Sequence, residues 1–452
     1  MADPENPRIN LVRPMALIHE VLTSALVKLV WNRLRTVERT RIWGLEQLAR
    51  FWIAVSFYAP ASLRQALSDG LCKPGSPYEV PSCSAPSLFA RSQELSWRFM
   101  AGLFHEFRAR AVQRAPEVFA RDLKSLFRRF HHIVAVDGSR LNPIRRRLKI
   151  LWKSRCAVIP GSLVAFYDLA TGTVARLTFS AKAMASEFRN FVDALVHIKP
   201  GTLIIGDRLY GTVRFFEALC AHGLFGVARR FKPVQVHRLR RLSRKRHEGG
   251  YVEDWEVKAG SGQSAKPQKL RLILLLMPGK KAFEVFTNVL QPHKLSAEEV
   301  LSLYRRRWTI ERLFSDLKEV LHLHRLYAAN VNAVATQVFA AVILHTALRI
   351  SQGIAARDAK IEPEEISTKK FFPMAATASA NLIGWQFAYL SVAAINPGLE
   401  IKEPAWSRMA VAYTTLDEVR VEERLSPKGR SRRRPGLRAW GQWPKSLLNH
   451  PP

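Results

Sequence analysis

Apolar residues recur at three- and four-residue steps in "LVRPMALIHEVLTSALVKLVWNRL", "LEQLARFWIAVSFY" and "SLFARSQELSWRFMAGLFHEFRARAV". That spacing predicts amphipathic helices. Between the second and third runs lies "CKPGSPYEVPSCSAPS", whose Pro, Gly and Ser content marks a loop. Residues 1–128 are therefore expected to form a separate helical domain. At 131 the period shortens. "HHIVAVDGSR" is a β-branched run ending in Asp-Gly, and "SLVAFYDLATGTVARLTFS" reads as a hairpin around Ala-Thr-Gly. An amphipathic helix ("ASEFRNFVDALVHI"), a buried strand ("GTLIIGDRLYG"), a helix with a Gly stop ("VRFFEALCAHG") and another strand ("LFGVARRF") follow. The hairpin implies antiparallel pairing and the strand–helix–strand units imply parallel pairing, so residues 129–231 predict a mixed α/β sheet with helices packed on it.

From 232 to 290 the pattern turns to short strands, "YVEDWEVKAG", "KLRLILLLM" and "FEVFTNVL", an all-β insertion. "SAEEVLSLYRRRWTIERLFSDLKEVLHLH" then predicts one long helix, opened by Ser296 and Glu299 at capping-box spacing. It begins a segment from 291 to 400. Residues 401–452 form the remainder, and from 421 onward eight Lys or Arg face two Glu, which predicts a flexible basic arm. The charge-free run Tyr327–Leu348 contains Asn330, Asn332, Thr336, Gln337 and His345. A buried core helix is expected there, not a membrane span.

Composition changes the picture in one respect. Across 452 residues, 48% are apolar, enough for a sizeable core, and 70 Lys plus Arg against 37 Asp plus Glu leave a net charge of +33. Such an excess on a folded chain points to a polyanionic partner, nucleic acid first and an anionic membrane surface second. Cys72, Cys83, Cys156 and Cys220 have no C-x-x-C spacing, so they read as free thiols and not as a disulfide or zinc framework. No basic-then-apolar leader pattern opens the chain, and a cytoplasmic, DNA-associated protein without a membrane is expected.

Two carboxylates stand at the ends of buried runs: Asp137 after "IVAV" and Asp207 after "LIIG". They can converge if their strands are neighbours, although either alone reads as an ordinary turn residue. A third, Glu311, belongs to a more telling set. On a continuous helix Tyr304, Arg307, Glu311 and Lys318 fall within roughly 60° of one another. Leu303, Ile310, Phe314, Leu317 and Leu321 occupy the adjoining face, and Arg305, Arg312, Asp316 and Glu319 point towards solvent. An Arg307–Glu311 pair at i,i+4 is worth only about 0.2–0.5 kcal/mol. It leaves Tyr304 and Lys318 on the same line unexplained.

The spacing Tyr304-x2-Arg307-x3-Glu311-x6-Lys318 resembles the signature of DDE transposases of the bacterial insertion-sequence IS-four class. "VDGSR" and "GDRLYG" resemble that family's two Asp segments, with Leu209 standing where a small residue is usual. The resemblance spans about 130 to 350, including the β insertion between the second Asp and the Glu. It implies an RNase H-like core holding two Mg²⁺ ions (Mn²⁺ substituting) on Asp137, Asp207 and Glu311. It implies cut-and-paste transposition by end cleavage and 3′-OH strand transfer, with transposon ends and target DNA as partners and a homodimer in the synaptic complex. Tyr304, Arg307 and Lys318 would then grip the transposon end. Trp308 also matches the pattern and can stack on a base, although packing is the plainer reading.

Residues 229–246 hold nine Lys or Arg and no acid, and 145–155 hold six more. Arg229, Arg230, Lys232, Arg240 and Arg241 are thus candidate backbone contacts that carry affinity without sequence information. His322 and His324 do not share a helix face, which argues against a metal role. Two other function classes remain open at this point: a DNA-binding protein of the same fold that does not cut, and an RNase H-like nuclease or resolvase.

Overall fold

The computed structural model describes residues 7–34, 42–73, 75–115, 118–141, 161–181, 185–261, 265–328, 330–395 and 413–421. The 145–155 patch, Cys156 and the basic arm beyond 421 lie outside these. The strands are β1 (Arg8–Asn10), β2 (Ile133–Arg140), β3 (Ser162–Asp168), β4 (Thr173–Ser180), β5 (Leu203–Gly206), β6 (Phe225–Arg229), β7 (Val236–His247), β8 (Gly250–Ala259), β9 (Gln268–Leu276), β10 (Phe283–Thr287) and β11 (Tyr413–Thr415). β1 pairs with β11, and the other nine form one sheet in the order β4-β3-β2-β5-β6-β10-β9-β8-β7.

The first five strands of that sheet set its centre. β3 is buried at all seven positions, as a strand covered on both faces must be. It runs antiparallel to both β2 and β4, and Gly172 supplies the left-handed turn of the β3–β4 hairpin at φ 64°. Helices Glu187–Leu195 and Val213–Ala221 carry the chain from β4 to β5 and from β5 to β6, and β2, β5 and β6 lie parallel. The order β4-β3-β2-β5-β6 with β3 reversed is the mixed, helix-flanked RNase H-like arrangement that the sequence resemblance implied.

Two expectations about segment boundaries change. The 232–290 strands continue the core sheet, since β10 pairs antiparallel with β6 (Val285 opposite Arg229). The basic run expected only as a contact surface is largely the twelve-residue strand β7, at the sheet's edge. Edge strands rich in Lys and Arg resist pairing with other chains.

The N-terminal helices and the sheet share one hydrophobic core, so the change of pattern near 128 is not a break in packing. Helix Val331–Asp358 joins them. It is long and apolar enough to cross a membrane, yet 89% of its most apolar stretch is buried inside the protein. Phe339 on it stacks on Trp97 of helix Trp97–Ala111, centroids 5.9 Å apart. From that same N-terminal helix, Arg108 Nη2 reaches Oδ2 of the buried Asp168, at the end of β3, over 3.1 Å.

Candidate active site

β2 and β5 are neighbours in parallel register, with Ile133, Val134 and Ala135 opposite Leu203, Ile204 and Ile205. Two more steps along that register bring Asp137 beside Asp207. Asp137 does not end its strand, as the Asp-Gly pair suggested: β2 runs on to Arg140, paired with β3 throughout. The Asp137 carboxylate accepts the Gly138 N–H over 2.8 Å. Asp207 follows β5 directly, and its Oδ1 accepts the Leu209 N–H over 2.7 Å, an Asx turn. Leu209 itself is exposed, so its bulk does not disturb the turn.

Both carboxyls are hard to ionise here. Burial pushes Asp137 up to about 7, with the Asp207 and Glu187 charges adding to it. Burial likewise raises Asp207, opposed by the Leu209 N–H and by Arg307. Two half-buried acids that repel one another form a donor set that suits a hard cation.

Glu187 is a fourth acid that pattern reading missed. It opens helix Glu187–Leu195, capped by Ser186, and its Oε1 accepts the Tyr210 hydroxyl over 2.8 Å. Its carboxyl lies across Gly138, where an added Cβ would come within 2.1 Å of Glu187 Cδ. Burial raises Glu187 as well. The one sequence signal was Gly138, since only a residue without a side chain leaves that space.

The expected single helix is broken into helix Ala297–Arg305, helix Trp308–Ser315 and a π-helical turn Asp316–Val320. The capping box of Ser296 and Glu299 is present. Leu303, Ile310, Phe314, Leu317 and Leu321 are buried as expected. Asp316, expected in solvent, is buried and accepts a hydrogen bond from the Thr368 hydroxyl over 2.8 Å. The wider π turn rotates it inward. His322 and His324 follow that turn and are not helical.

The four signature residues end in distinct positions. Tyr304 is buried against Phe283, and burial lifts its phenol to about 12. Arg307 Nη2 donates to Glu311 Oε1 over 2.5 Å, in a pair with Glu311 half exposed. Burial works against the Arg307 charge, but Tyr304, Glu311 and Asp207 together hold its pKa above the usual value. Lys318 projects from the π turn and donates to Ser139 Oγ, two residues beyond Asp137. Trp308 lies under the Arg312 guanidinium, 4.1 Å from ring centroid to Cζ, which is a packing arrangement.

Among the described residues no group of three or more His, Cys, Asp or Glu side chains stands close enough to hold a metal ion. Asp137 and Asp207 therefore form the cation-compatible pair, while Glu311 is turned to Arg307. The basic candidates divide in a similar way. Arg230 pairs with Glu284 over 2.5 Å and Arg229 lies over Phe283. Arg240 approaches Glu256 at 3.7 Å, whereas Lys232 and Arg241 are exposed.

Residues 127–347 match the family model described as a transposase DDE domain. The "Probable transposase for insertion sequence element IS5377" of Geobacillus stearothermophilus is 28% identical over 152 residues, 32% of this chain and 38% of that protein. The "Putative transposase y4zB" of Sinorhizobium fredii is 30% identical over 160 residues, 34% of this chain and 44% of that protein. The chain thus spans under half the length of these relatives. A piggyBac transposase synaptic complex with hairpin DNA, solved by cryo-EM, aligns over 86% of this chain and 83% of its own at 11% identity, with a TM-score of 0.38.

Proposed function

We propose that this protein is the DNA transposase of an insertion sequence, cleaving the element's inverted-repeat ends and joining the freed 3′-OH to target DNA. One observation carries the reading. Asp137 and Asp207 lie side by side on adjacent parallel strands, half-buried and with their carboxyls pushed up, beneath the helix that presents Arg307 and Glu311. A pair of divalent cations bound there would polarise the attacking oxygen and stabilise the leaving one. Asp137 and Asp207 would hold them, with Glu311 as the third carboxylate by resemblance to the family.

The chain's own residues do the rest. Arg307 presents a planar fork suited to a phosphate, and an incoming phosphodiester competes with Glu311 for it. That exchange would release Glu311 towards the aspartates. Tyr304 is too buried to reach DNA and would orient Arg307 instead. Lys318 adds a point charge beside the end of β2. Water hydrolyses one phosphodiester to leave a 3′-OH and a 5′-phosphate, and that 3′-OH then exchanges one target phosphodiester for another, so no nucleotide triphosphate is needed. Joining two ends in one event calls for two copies of the chain.

The test is cleavage of the element's own end duplex with Mg²⁺ or Mn²⁺. Asp137→Ala, Asp207→Ala and Glu311→Ala should each abolish cleavage while end binding persists. Activity that survives any of the three overturns the triad. A strand-transfer assay separates a transposase from a nuclease or resolvase, and binding with no metal-stimulated cleavage marks a protein that does not cut.

A further inference from the structure

β7 pairs with β8 through two irregularities, one between Arg238 and Arg240 and one between Arg241 and Ser243. Each inserts one residue, Leu239 and then Leu242, into the β7 side of the ladder. A regular strand would place Arg238, Arg240 and Arg244 on one face and Arg241 on the other. The two bulges change that. Arg238, Arg241, Arg244 and Arg246 now stand opposite Val257, Trp255, Glu253 and Tyr251, alternate residues of β8 and so one face. Arg240 moves to the other face, which Lys245 already occupies, and there they meet Glu256 at 3.7 Å and Glu298 at 3.0 Å.

The arginine row is supported from beneath. Arg238 and Arg241 lie over the Trp255 ring at 4.8 and 5.8 Å, and Arg244 lies over Tyr251 at 4.2 Å. One acid is near: Glu253 accepts the Trp255 indole N–H over 2.9 Å and meets Arg244 at 3.3 Å. Four guanidinium groups against one carboxylate leave a net positive row, and all four arginines are exposed. Two residues of β8 separate successive members, about 7 Å at the usual strand rise. That is close to the spacing of phosphates along one DNA strand.

The row's orientation separates it from the carboxylates. Val257 belongs to the core cluster under helices Glu187–Leu195 and Val213–Ala221, with Trp255 packed against it and with Val134 and Val136 of β2 in the same cluster. Asp137 has the opposite parity on β2. We propose that Arg238, Arg241, Arg244 and Arg246 form a second DNA-binding surface that takes the sugar-phosphate backbone of duplex DNA without reading its sequence, on the sheet face away from the catalytic one. The identity of the partner rests on the transposase reading. The bulges bring Arg241 onto the face that Arg238, Arg244 and Arg246 share and take Arg240 off it, independently of that reading.

The experiment is fluorescence anisotropy of the full chain on a random-sequence 30-bp duplex, from 50 to 300 mM KCl. Replacing all four arginines with Gln should weaken binding at least tenfold, roughly, and flatten the slope of log K against log salt by about 3–4, near 0.9 per lost phosphate contact. The four Arg→Lys changes should keep most of that slope, and circular dichroism should show both variants folded. Arg240→Gln with Lys245→Gln, on the other face, should change the slope by less than about 1. An unchanged slope in the quadruple Gln variant, or an equal drop in the Arg240 and Lys245 control, overturns the proposal. So does a loss confined to a single-stranded 30-mer. Metal-dependent end cleavage is scored separately: cleavage with an unchanged salt slope in the quadruple Gln variant refutes this surface, and a flattened slope with no cleavage by wild type refutes the transposase reading.

Discussion

The Tyr210 hydroxyl donates to the Glu187 carboxylate over 2.8 Å, fastening an acid on the helix after β4 to the turn that follows Asp207. Glu187 thereby lies over Gly138, beside the two aspartates. Gly138→Ala should act through this contact. The clash is with the far end of a flexible side chain, so the stability loss should stay near 1–1.5 kcal/mol in urea titration. Tyr210→Phe removes the same hold without touching β2. If the contact positions Glu187, both variants should lower end cleavage in the same direction. A Gly138→Ala protein with full cleavage activity would show that the position of Glu187 is immaterial.

Asp137 gives a pH prediction with a defined sign. Its carboxyl titrates near 7 in the fold against an ordinary 3.8. Between those values the folded protein keeps a proton that the unfolded chain releases, so stability falls as pH rises through that window. Asp137→Asn removes the penalty. Its Tm should match wild type near pH 4 and exceed it at pH 8. Mg²⁺ should raise the wild-type Tm at pH 8 and the variant's by less. A Tm difference that stays constant from pH 4 to 8 contradicts this account.

Arg307 holds Glu311 in the free protein. Arg307→Ala should therefore release Glu311 and tighten Mn²⁺ binding, followed by electron paramagnetic resonance, while weakening the complex with end DNA. Arg307→Lys keeps the charge but loses the fork, and should recover only part of the DNA affinity. Weaker Mn²⁺ binding in Arg307→Ala would mean that the ion pair assists the cation site instead of competing with it.

Arg271 and Asp254 form a fully buried pair between β9 and β8, and Arg271 Nη1 also donates to the Val289 and Leu295 carbonyls at 3.1 and 2.7 Å. This one guanidinium ties the sheet to the loop that enters helix Ala297–Arg305. Asp254→Ala leaves a buried charge uncompensated and should cost about 3–5 kcal/mol in chemical denaturation. Replacing both partners with apolar residues of similar size should recover much of it. A single-variant loss below about 1 kcal/mol would remove the pair from the list of anchors.

The strand and helix order of the core was legible because each element there buries one face or both, and burial writes a period into the residues. Ser296 and Glu299 announced their helix start in the same local way. β7 was not legible, because arginines fill both faces of an exposed edge and no apolar alternation remains. The break at Arg306 and Arg307 carries neither Pro nor Gly. The inward turn of Asp316 depends on Thr368, fifty-two residues away. Asp137 and Asp207 could be named from strand ends, but Glu187 depends on how the chain crosses the sheet, a long-range fact that Gly138 only hints at.

Helix Val331–Asp358 fills the space between the sheet and the N-terminal helices, and the ribosome makes it after both. Until it emerges, Trp97 and Phe104 lack the Phe339 ring that both pack on. The earlier helices and sheet therefore keep part of their shared apolar surface open until that element completes it. A shortened product ending before 331 would inherit that exposed surface permanently and should be sticky and short-lived.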